Sequence, residues 1–373
     1  MKTDKNRAWI EIDLQALEHN VKQIQNVLPS QTKIMGVVKA NAYGHGVIIV
    51  SQKLAQMGIQ DFAVATLDEG IELRQNGIQG EILILGYTDV SCMEEIAKYD
   101  LTQTVLDENY AKKMQEKVSQ KTKVQIKINT GMNRNGIHYS ESSKIAGIYE
   151  LPKLEVTGIF SHLCVSDGNK EEDKKFTKEQ IDHYFEVIDE IKKMGYNPGN
   201  THIQASYGIL NYPNLPCDYA RPGVILYGIY SQDGDVLQTS IDLRPILELK
   251  ARVMSIRRID NGDSVGYGRT FFAKEKMKIA TVAIGYADGY PRSLSGKDTK
   301  VWVNGTYGTI IGRVCMDQLI ITVPEETPLE AGDIVTLIGK EEEIRVERLA
   351  EKAGTITNEI LSGLGRRLPI LIK

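Results

Sequence analysis

Lys39 stands where the apolar run Ile34-Met35-Gly36-Val37-Val38 stops, and it opens the segment Ala40-Asn41-Ala42-Tyr43-Gly44-His45-Gly46. Apolar, partly β-branched residues in unbroken succession mark a strand buried on both faces. A long cation at the end of such a strand has two readings. Its ammonium snorkels out into water, or it lies in a drier site that lowers its pKa and lets it form an imine with a carbonyl compound. Other polar groups recur at matching places: Arg134 in Asn129-Thr130-Gly131-Met132-Asn133-Arg134, His162 after Phe160-Ser161, Ser206 before Tyr207-Gly208, and Arg221-Pro222-Gly223. Singly, each has a bland explanation, since a His at a strand end is usually a satisfied core residue and Ser-Tyr-Gly is usually a turn. Their recurrence at one end of successive apolar runs is what suggests a site.

The elements that would position these groups follow a regular rhythm. Trp9–Asp13 alternates like a short strand, and Asp13 can cap a helix whose apolar positions Leu14, Leu17, Val21, Ile24 and Leu28 keep 3–4 spacing until Pro29. The strand ending at Lys39 comes next. Apolar runs follow at Phe62–Thr66, Ile82–Gly86 (with Leu85 at its end), Leu101–Leu106, Val124–Thr130, Leu154–His162, Thr201–Ser206 and Tyr219–Gly228. Helical spacing separates them, most clearly where Phe176, Ile181, Tyr184, Ile188 and Ile191 share one face ahead of Gly195. Eight runs alternating with helices predict a parallel (β/α)8 TIM-type barrel. An open doubly wound sheet is the alternative, and the absence of a GxGxxG phosphate turn counts against it. From about Ile246 the texture changes to strands at Leu247–Ile259, Val265–Phe271, Lys278–Ile284, Val301–Val303 and Asp333–Ile338, with hairpin signals at Asn261-Gly262 and Asn304-Gly305. The expected division is a barrel over 1–240 and a mostly antiparallel β domain over 241–373, with residues 1–12 pairing with the second.

Composition narrows the class. A length of 373 residues favours two domains. A net charge of -4, with no basic run, gives no electrostatic case for nucleic acid. Cys92, Cys164, Cys217 and Cys315 are too scattered for a metal site and read as reduced thiols. The six histidines lack ligand spacing, so no metal is expected. The polar Met1–Arg7 has no apolar signal core, and no apolar run approaches the ~18 residues of a membrane span. The expected location is the cytoplasm, whether for the chain alone or as the cytoplasmic part of a longer membrane protein.

Val38-Lys39-Ala40-Asn41-Ala42-Tyr43-Gly44-His45-Gly46 closely resembles the pyridoxal phosphate (PLP) lysine motif of the alanine racemases. The likeness continues through Thr130-Gly131-Met132, Asp218–Gly228, Val265-Gly266-Tyr267-Gly268-Arg269, Ile284-Gly285-Tyr286-Ala287-Asp288-Gly289 and Arg313-Val314-Cys315-Met316-Asp317, and so covers essentially the whole chain. The resemblance implies that Lys39 forms the imine with PLP. It implies that Tyr43, Ser206 and the backbone of Gly223 and Val224 hold the phosphate, with Leu85 and Asn358 also at the cofactor. Arg221 would face the pyridine nitrogen with His162 near it, and Arg134 would touch the substrate side of the ring. Lys127 matches a lysine that is carbamylated in some members. Tyr267, Tyr286, Met316 and Asp317 would complete the active site of the other subunit, which implies a homodimer acting on an amino acid.

The chemistry asks for this inventory independently. Removing a Cα proton needs an electron sink, which PLP supplies. Inverting that carbon needs a base on each face, Lys39 on one and Tyr267 on the other. A tyrosine of ordinary pKa, about 10, then needs a nearby cation such as Arg134. Because a guanidinium keeps its proton, Arg221 would leave the pyridine nitrogen unprotonated and the ring a milder sink.

Two departures bear on substrate. Alanine racemases commonly carry Asn-Ser where this chain has Ala205-Ser206, and Asn358 in Thr355-Ile356-Thr357-Asn358-Glu359 replaces the family's tyrosine. A shorter amide leaves room and a hydrogen-bonding group for a hydroxymethyl side chain; alternatively it bonds the phosphate or a water. With Gly365-Arg366-Arg367-Leu368, this looks like the racemase portion of the membrane-anchored serine/alanine racemases linked to vancomycin resistance. The competing functions are a barrel-type PLP decarboxylase, disfavoured because Arg221 stands where an acidic partner is wanted, a non-catalytic PLP carrier, and a generic sugar- or phosphate-binding barrel.

Overall fold

The computed structural model describes residues 6–232, 234 and 237–373; Met1–Lys5, included above in the polar N-terminus, lie outside them. The first strand, β1 (Ala8–Ile12), leads into helix α1 (Leu14–Val27), whose N-cap Asp13 accepts from the amides of Gln15 and Ala16 at 2.9 Å. That bond satisfies two of the donors a helix start leaves open. There follow β2 (Lys33–Val37), α2 (Val47–Gln56), β3 (Asp61–Val64), α3 (Leu67–Gln75), β4 (Ile82–Ile84), α4 (Met93–Lys98), β5 (Thr102–Val105), α5 (Glu108–Lys117), β6 (Thr122–Asn129) and α6 (Ser142–Tyr149). The series ends with β7 (Leu154–Phe160), α7 (Glu171–Lys193), β8 (Asn200–His202), α8 (Ser206–Asn211) and β9 (Tyr219–Ala220).

Strands β2 to β8 pair in parallel in chain order, and β9 pairs with β2 through Tyr219–Lys33 and Ala220–Ile34. The Arg221 amide reaches Gln204 O at 3.0 Å across the remaining gap beside β8, which closes the (β/α)8 barrel. Alternation within each strand sorts two apolar layers. Met35, Val37, Ala63, Leu83 and Phe160 fill the barrel interior, while Ile34, Val38, Val64, Ile84 and Ile159 face the helices.

The second sheet is built from β10 (Leu247–Ile259), β11 (Met277–Val282), β12 (Lys300–Val303), β13 (Thr306–Ile311), β14 (Leu319–Thr322) and β15 (Ile334–Ile338). Two short helices follow, α9 (Val346–Ala353) and α10 (Thr357–Ser362), and then the last strand, β16 (Ile370–Ile372). The long β10 pairs antiparallel with β15 along its first half and with β11 along its second, so six strands form a closed circuit. Strand β1 adds antiparallel to β10, from Ala8–Ala251 to Ile12–Leu247, and β16 adds parallel to β1. The beginning of the chain is therefore built into the β sheet before the barrel starts.

Several local expectations need correction. Asn304-Gly305 does form the tight hairpin between β12 and β13, both residues at positive φ as a type I′ turn requires. Asn261-Gly262 turns the chain but joins no directly paired strands, because β10 pairs with β11 instead. The expected strand Val265–Phe271 is interrupted: Gly266 and Gly268 at φ 73° break it, leaving only Ser264–Val265 against Phe271–Phe272 around a 3₁₀ turn at Tyr267–Arg269. Phe176 is out of phase with the buried face of α7 and 37% exposed; its ring covers Gly131, where a Cβ would come within 2.9 Å.

Candidate active site

Strand β2 stops at Val37, two residues short of Lys39, and the chain then enters a feature that no motif announces. Ala40, Asn41, Ala42 and Tyr43 all have φ between 52° and 55°, a single left-handed turn closed by Ala42 N–H to Val38 O at 2.8 Å and Gly44 N–H to Ala40 O at 3.0 Å. For residues with a Cβ this conformation costs roughly 1–2 kcal/mol each, so the surroundings must hold it. Asn41 Oδ1 accepts from Val47 N–H at 2.8 Å, His45 Nδ1–H donates to Ala42 O at 2.8 Å, and Glu69 accepts from Ala40 N–H at 2.6 Å. A Cβ on Gly44 would lie 2.1 Å from Leu361 O, so the turn is pressed against α10. Beneath it, Tyr227 stacks on His45 (4.4 Å, 17°) and donates its hydroxyl to Val37 O at 2.8 Å.

The turn puts Lys39 into a cavity of about 620 Å³ at the carboxyl ends of the barrel strands. Tyr43, Leu85, Lys127, Arg134, His162, Ser206, Arg221, Gly223, Val224 and Asn358 line the same space. Every barrel residue that the sequence pointed to is therefore there, although Ser206 begins α8 and Arg221 follows β9, each beyond the strand expected to carry it. Tyr267, Tyr286, Met316 and Asp317 are not; they sit on the β domain, with Tyr267 71%, Met316 53% and Tyr286 41% exposed. The segments bearing the last three are fastened together. Tyr286 N–H and Ala287 N–H donate to Cys315 O (3.0 Å) and Met316 O (2.9 Å), and Gly285 has no room for a Cβ against those carbonyls. Buried Asp288 anchors the unit through Arg7 and Arg367, and Arg367 also holds Asp317 at 2.8 Å.

Charge is the cavity's most telling property. Lys39, Lys127, Arg134 and Arg221 all line it, and exposed Asp167 is the only carboxylate lining it among the described residues. Burial holds the Lys39 amine below the usual lysine range; Arg134 and Arg221 push the same way and Glu69 opposes. Lys127, wholly enclosed with its Nζ 4.8 Å from the Phe160 ring, is pushed down further by burial, Arg221 and Arg134. His162 is kept uncharged by burial and by the four cations.

Sequence reasoning missed what steadies Arg221. Its Nη1 donates to His202 Nδ1, His202 Nε2–H donates to Gln125 Oε1 at 2.6 Å, and Gln125 Nε2 donates to Glu81 Oε1 at 2.9 Å. This chain of partners sets the His202 tautomer, and burial keeps that ring neutral. The available signal was Gln125, a polar residue alternating with Lys127 inside the apolar strand β6. Gln180 was missed too; its amide donates to Thr130 Oγ1 and His162 O and shapes the loop carrying His162.

An anion with an aldehyde fits this cavity. Four cations call for negative charge. The hydroxyls of Tyr43 and Ser206 meet at Gly223, whose amide donates to Ser206 Oγ at 3.0 Å and where a Cβ would come within 2.8 Å of Tyr43 Oη. A barrel mouth with these features, followed by a closed β sheet, defines a barrel-type PLP protein. The alanine racemase N-terminal domain family matches residues 12–231 and the alanine racemase C-terminal domain family matches residues 246–372. The chain is 43% identical to an amino-acid racemase of Enterococcus faecalis, over 99% of this chain and 52% of that protein. It is 40% identical to alanine racemase 2 of Caldanaerobacter subterraneus subsp. tengcongensis (96% and 93%) and 39% identical to a serine/alanine racemase of Enterococcus gallinarum (100% and 52%). It superposes on the alanine racemase of Clostridium difficile 630 with a TM-score of 0.94 at 34% identity, covering 100% of this chain and 97% of that one. The chain belongs to the alanine racemase family, which is PLP-dependent. It spans about half the length of the Enterococcus relatives, and among the described residues no helix is long and apolar enough to cross a membrane.

The histidine under the turn gives a pH dependence. Burial lowers the His45 pKa to about 4 in the folded chain, whereas an unfolded histidine takes up its proton near 6.5. Between those values the unfolded state binds more protons, so stability is full above pH about 6.5 and falls as the pH drops toward 4. His45→Phe keeps a ring on Tyr227 but titrates nothing, and should show a shallower loss of unfolding free energy across that window by chemical denaturation. Parallel curves for the two proteins would contradict this.

Proposed function

We propose that the chain is a PLP-dependent amino-acid racemase that interconverts L- and D-alanine, working as a homodimer whose active sites are shared between subunits. The observation that carries this reading is the amine of Lys39, lowered below its usual pKa inside a cationic barrel mouth, while the second base stands exposed elsewhere on the same chain. PLP, when bound, supplies the electron sink that makes a Cα proton removable.

Lys39 holds or returns that proton on one face of the substrate Cα, and its lowered pKa leaves more of the amine uncharged near neutrality. Tyr267 of the partner subunit serves the opposite face. Arg134, which lines the cavity, would stand on the substrate side of the ring, where its charge would attract the substrate's carboxylate and favour ionisation of the phenol. Tyr43, Ser206 and the Gly223–Val224 backbone would hold the cofactor's phosphate, and Arg221, held by His202 and keeping its proton, would face the pyridine nitrogen. Tyr286, Met316 and Asp317 of the partner subunit narrow the entrance.

The shared site has a direct test. Neither Lys39→Ala nor Tyr267→Phe should racemise alanine, measured by chiral chromatography of products. Mixed dimers of the two variants contain one site with both bases intact, so dissociating and re-pairing them should restore activity. No recovery in confirmed hybrids would refute the shared site.

One observation favours serine as a second substrate. Asn358 lines the cavity with its Oδ1 accepting from Ser231 Oγ (3.5 Å), while the Thr357 hydroxyl 3.2 Å away donates chiefly to Tyr230 O at 2.7 Å; the Asn358 amide N–H is the group that can donate to a substrate. A positioned donor rewards a hydroxyl-bearing side chain. Asn358→Tyr is expected to shift the serine-to-alanine ratio of kcat/KM toward alanine by about tenfold, or ~1.4 kcal/mol. An unchanged ratio would remove this reading.

A further inference from the structure

Glu69 is not among the residues lining the cavity, yet its carboxylate is divided between two elements that meet there. Oε2 accepts from Ala65 N–H at 2.7 Å, just past the end of β3. This bond is local: Glu69 lies in the first turn of α3, and with the Thr66 hydroxyl, which accepts from Glu69 N–H at 3.4 Å, it finishes the helix start. Oε1 does something α3 does not need. It crosses 29 residues of sequence to accept from Ala40 N–H at 2.6 Å, the amide directly after Lys39.

Ala40 is the first residue of the left-handed turn, at φ 53°, and it is exposed, so packing does not hold it there. A carboxylate bonded to a backbone amide is a charge-assisted contact, stronger than a neutral one. A turn of positive φ persists only where its surroundings over-determine it. The turn's later residues are held through Asn41, His45 and Gly44; its opening residue is held by Glu69.

We propose that Glu69 is a positioning residue for Lys39: by clamping the Ala40 amide to the end of β3, it keeps the left-handed turn in the form that carries the amine into the barrel mouth. The inference rests on Lys39 being the amine that works in the proposed racemase. The clamp's mechanical effect is readable without that assumption.

The test compares Glu69→Ala with Thr66→Ala. The second weakens the start of α3 but leaves the Ala40 amide held. In Glu69→Ala, hydrogen exchange of the peptide spanning residues 38–46, followed by mass spectrometry, should quicken by about tenfold, and kcat for racemisation should fall by a similar factor with KM little changed. Thr66→Ala should move neither. Adding Ala40→Gly to Glu69→Ala should return part of the lost kcat, because glycine accepts positive φ without strain. Should Glu69→Ala fold poorly, Glu69→Gln keeps the size but satisfies one amide at most, and should give intermediate exchange. Exchange in Glu69→Ala indistinguishable from that in Thr66→Ala would overturn the proposal. Absence of racemisation by the wild-type holoenzyme would count against the proposed function instead, leaving exchange to judge the clamp.

Discussion

Positive charge confined without a matching carboxylate is the constraint on which the barrel mouth depends. Two lysines and two arginines line one cavity, and mutual repulsion together with burial decides what each can be. Burial brings the Arg221 pKa down to about 10, still high enough to keep the guanidinium charged near neutrality, and the group is steadied by donating to a histidine whose own partners make it an acceptor. The lysines have no such acceptor, and burial together with the two arginines holds both amines below the ordinary lysine range, with Glu69 opposing at Lys39. The same imbalance makes the cavity receptive to an anion such as a phosphate.

Geometry then divides the labour. The left-handed turn is an expensive piece of backbone, and its partners come from α2, α3, the Tyr227 ring below and α10 behind. Spreading the support over several elements makes the amine's position a property of the whole barrel rim. The β domain does the same for its own groups: Gly285, which tolerates no side chain against two carbonyls, and Asp288, buried between arginines, fix Tyr286 and Met316 on an exposed face. These exposed aromatic and thioether side chains lie outside the lining of the chain's own cavity, and an exposed apolar cluster held by such anchors has the character of an interaction surface.

How far the sequence could be read follows from which physics is local. Alternating apolar runs and helical spacing made the barrel legible, because each strand must be apolar toward the helices whatever lies elsewhere in the chain. The barrel half of the site was legible for a related reason: strands running parallel bring their ends to one mouth, so Lys39, His162 and Arg221 had to meet. Asn304-Gly305 was legible because the turn's positive φ values choose their own residues. The left-handed turn was not, since Ala40, Asn41 and Ala42 carry no local preference for it and tertiary partners impose it. Nor was β14, whose pairing with β13 and β11 is decided by closure of the β circuit. Phe176 misled because its apolar character serves one glycine across a gap and not the buried face of α7. His202 and Gln125 were visible only as polar residues inside buried strands, a sign that something inside the barrel needs them.

The central claim is that Lys39, and not the more deeply buried Lys127, is the amine that captures the cofactor aldehyde. Loading the purified protein with PLP, reducing with borohydride and mapping peptides by mass spectrometry decides between them. The account predicts a pyridoxyl adduct on Lys39 alone. An adduct on Lys127, or none on either lysine, would contradict it.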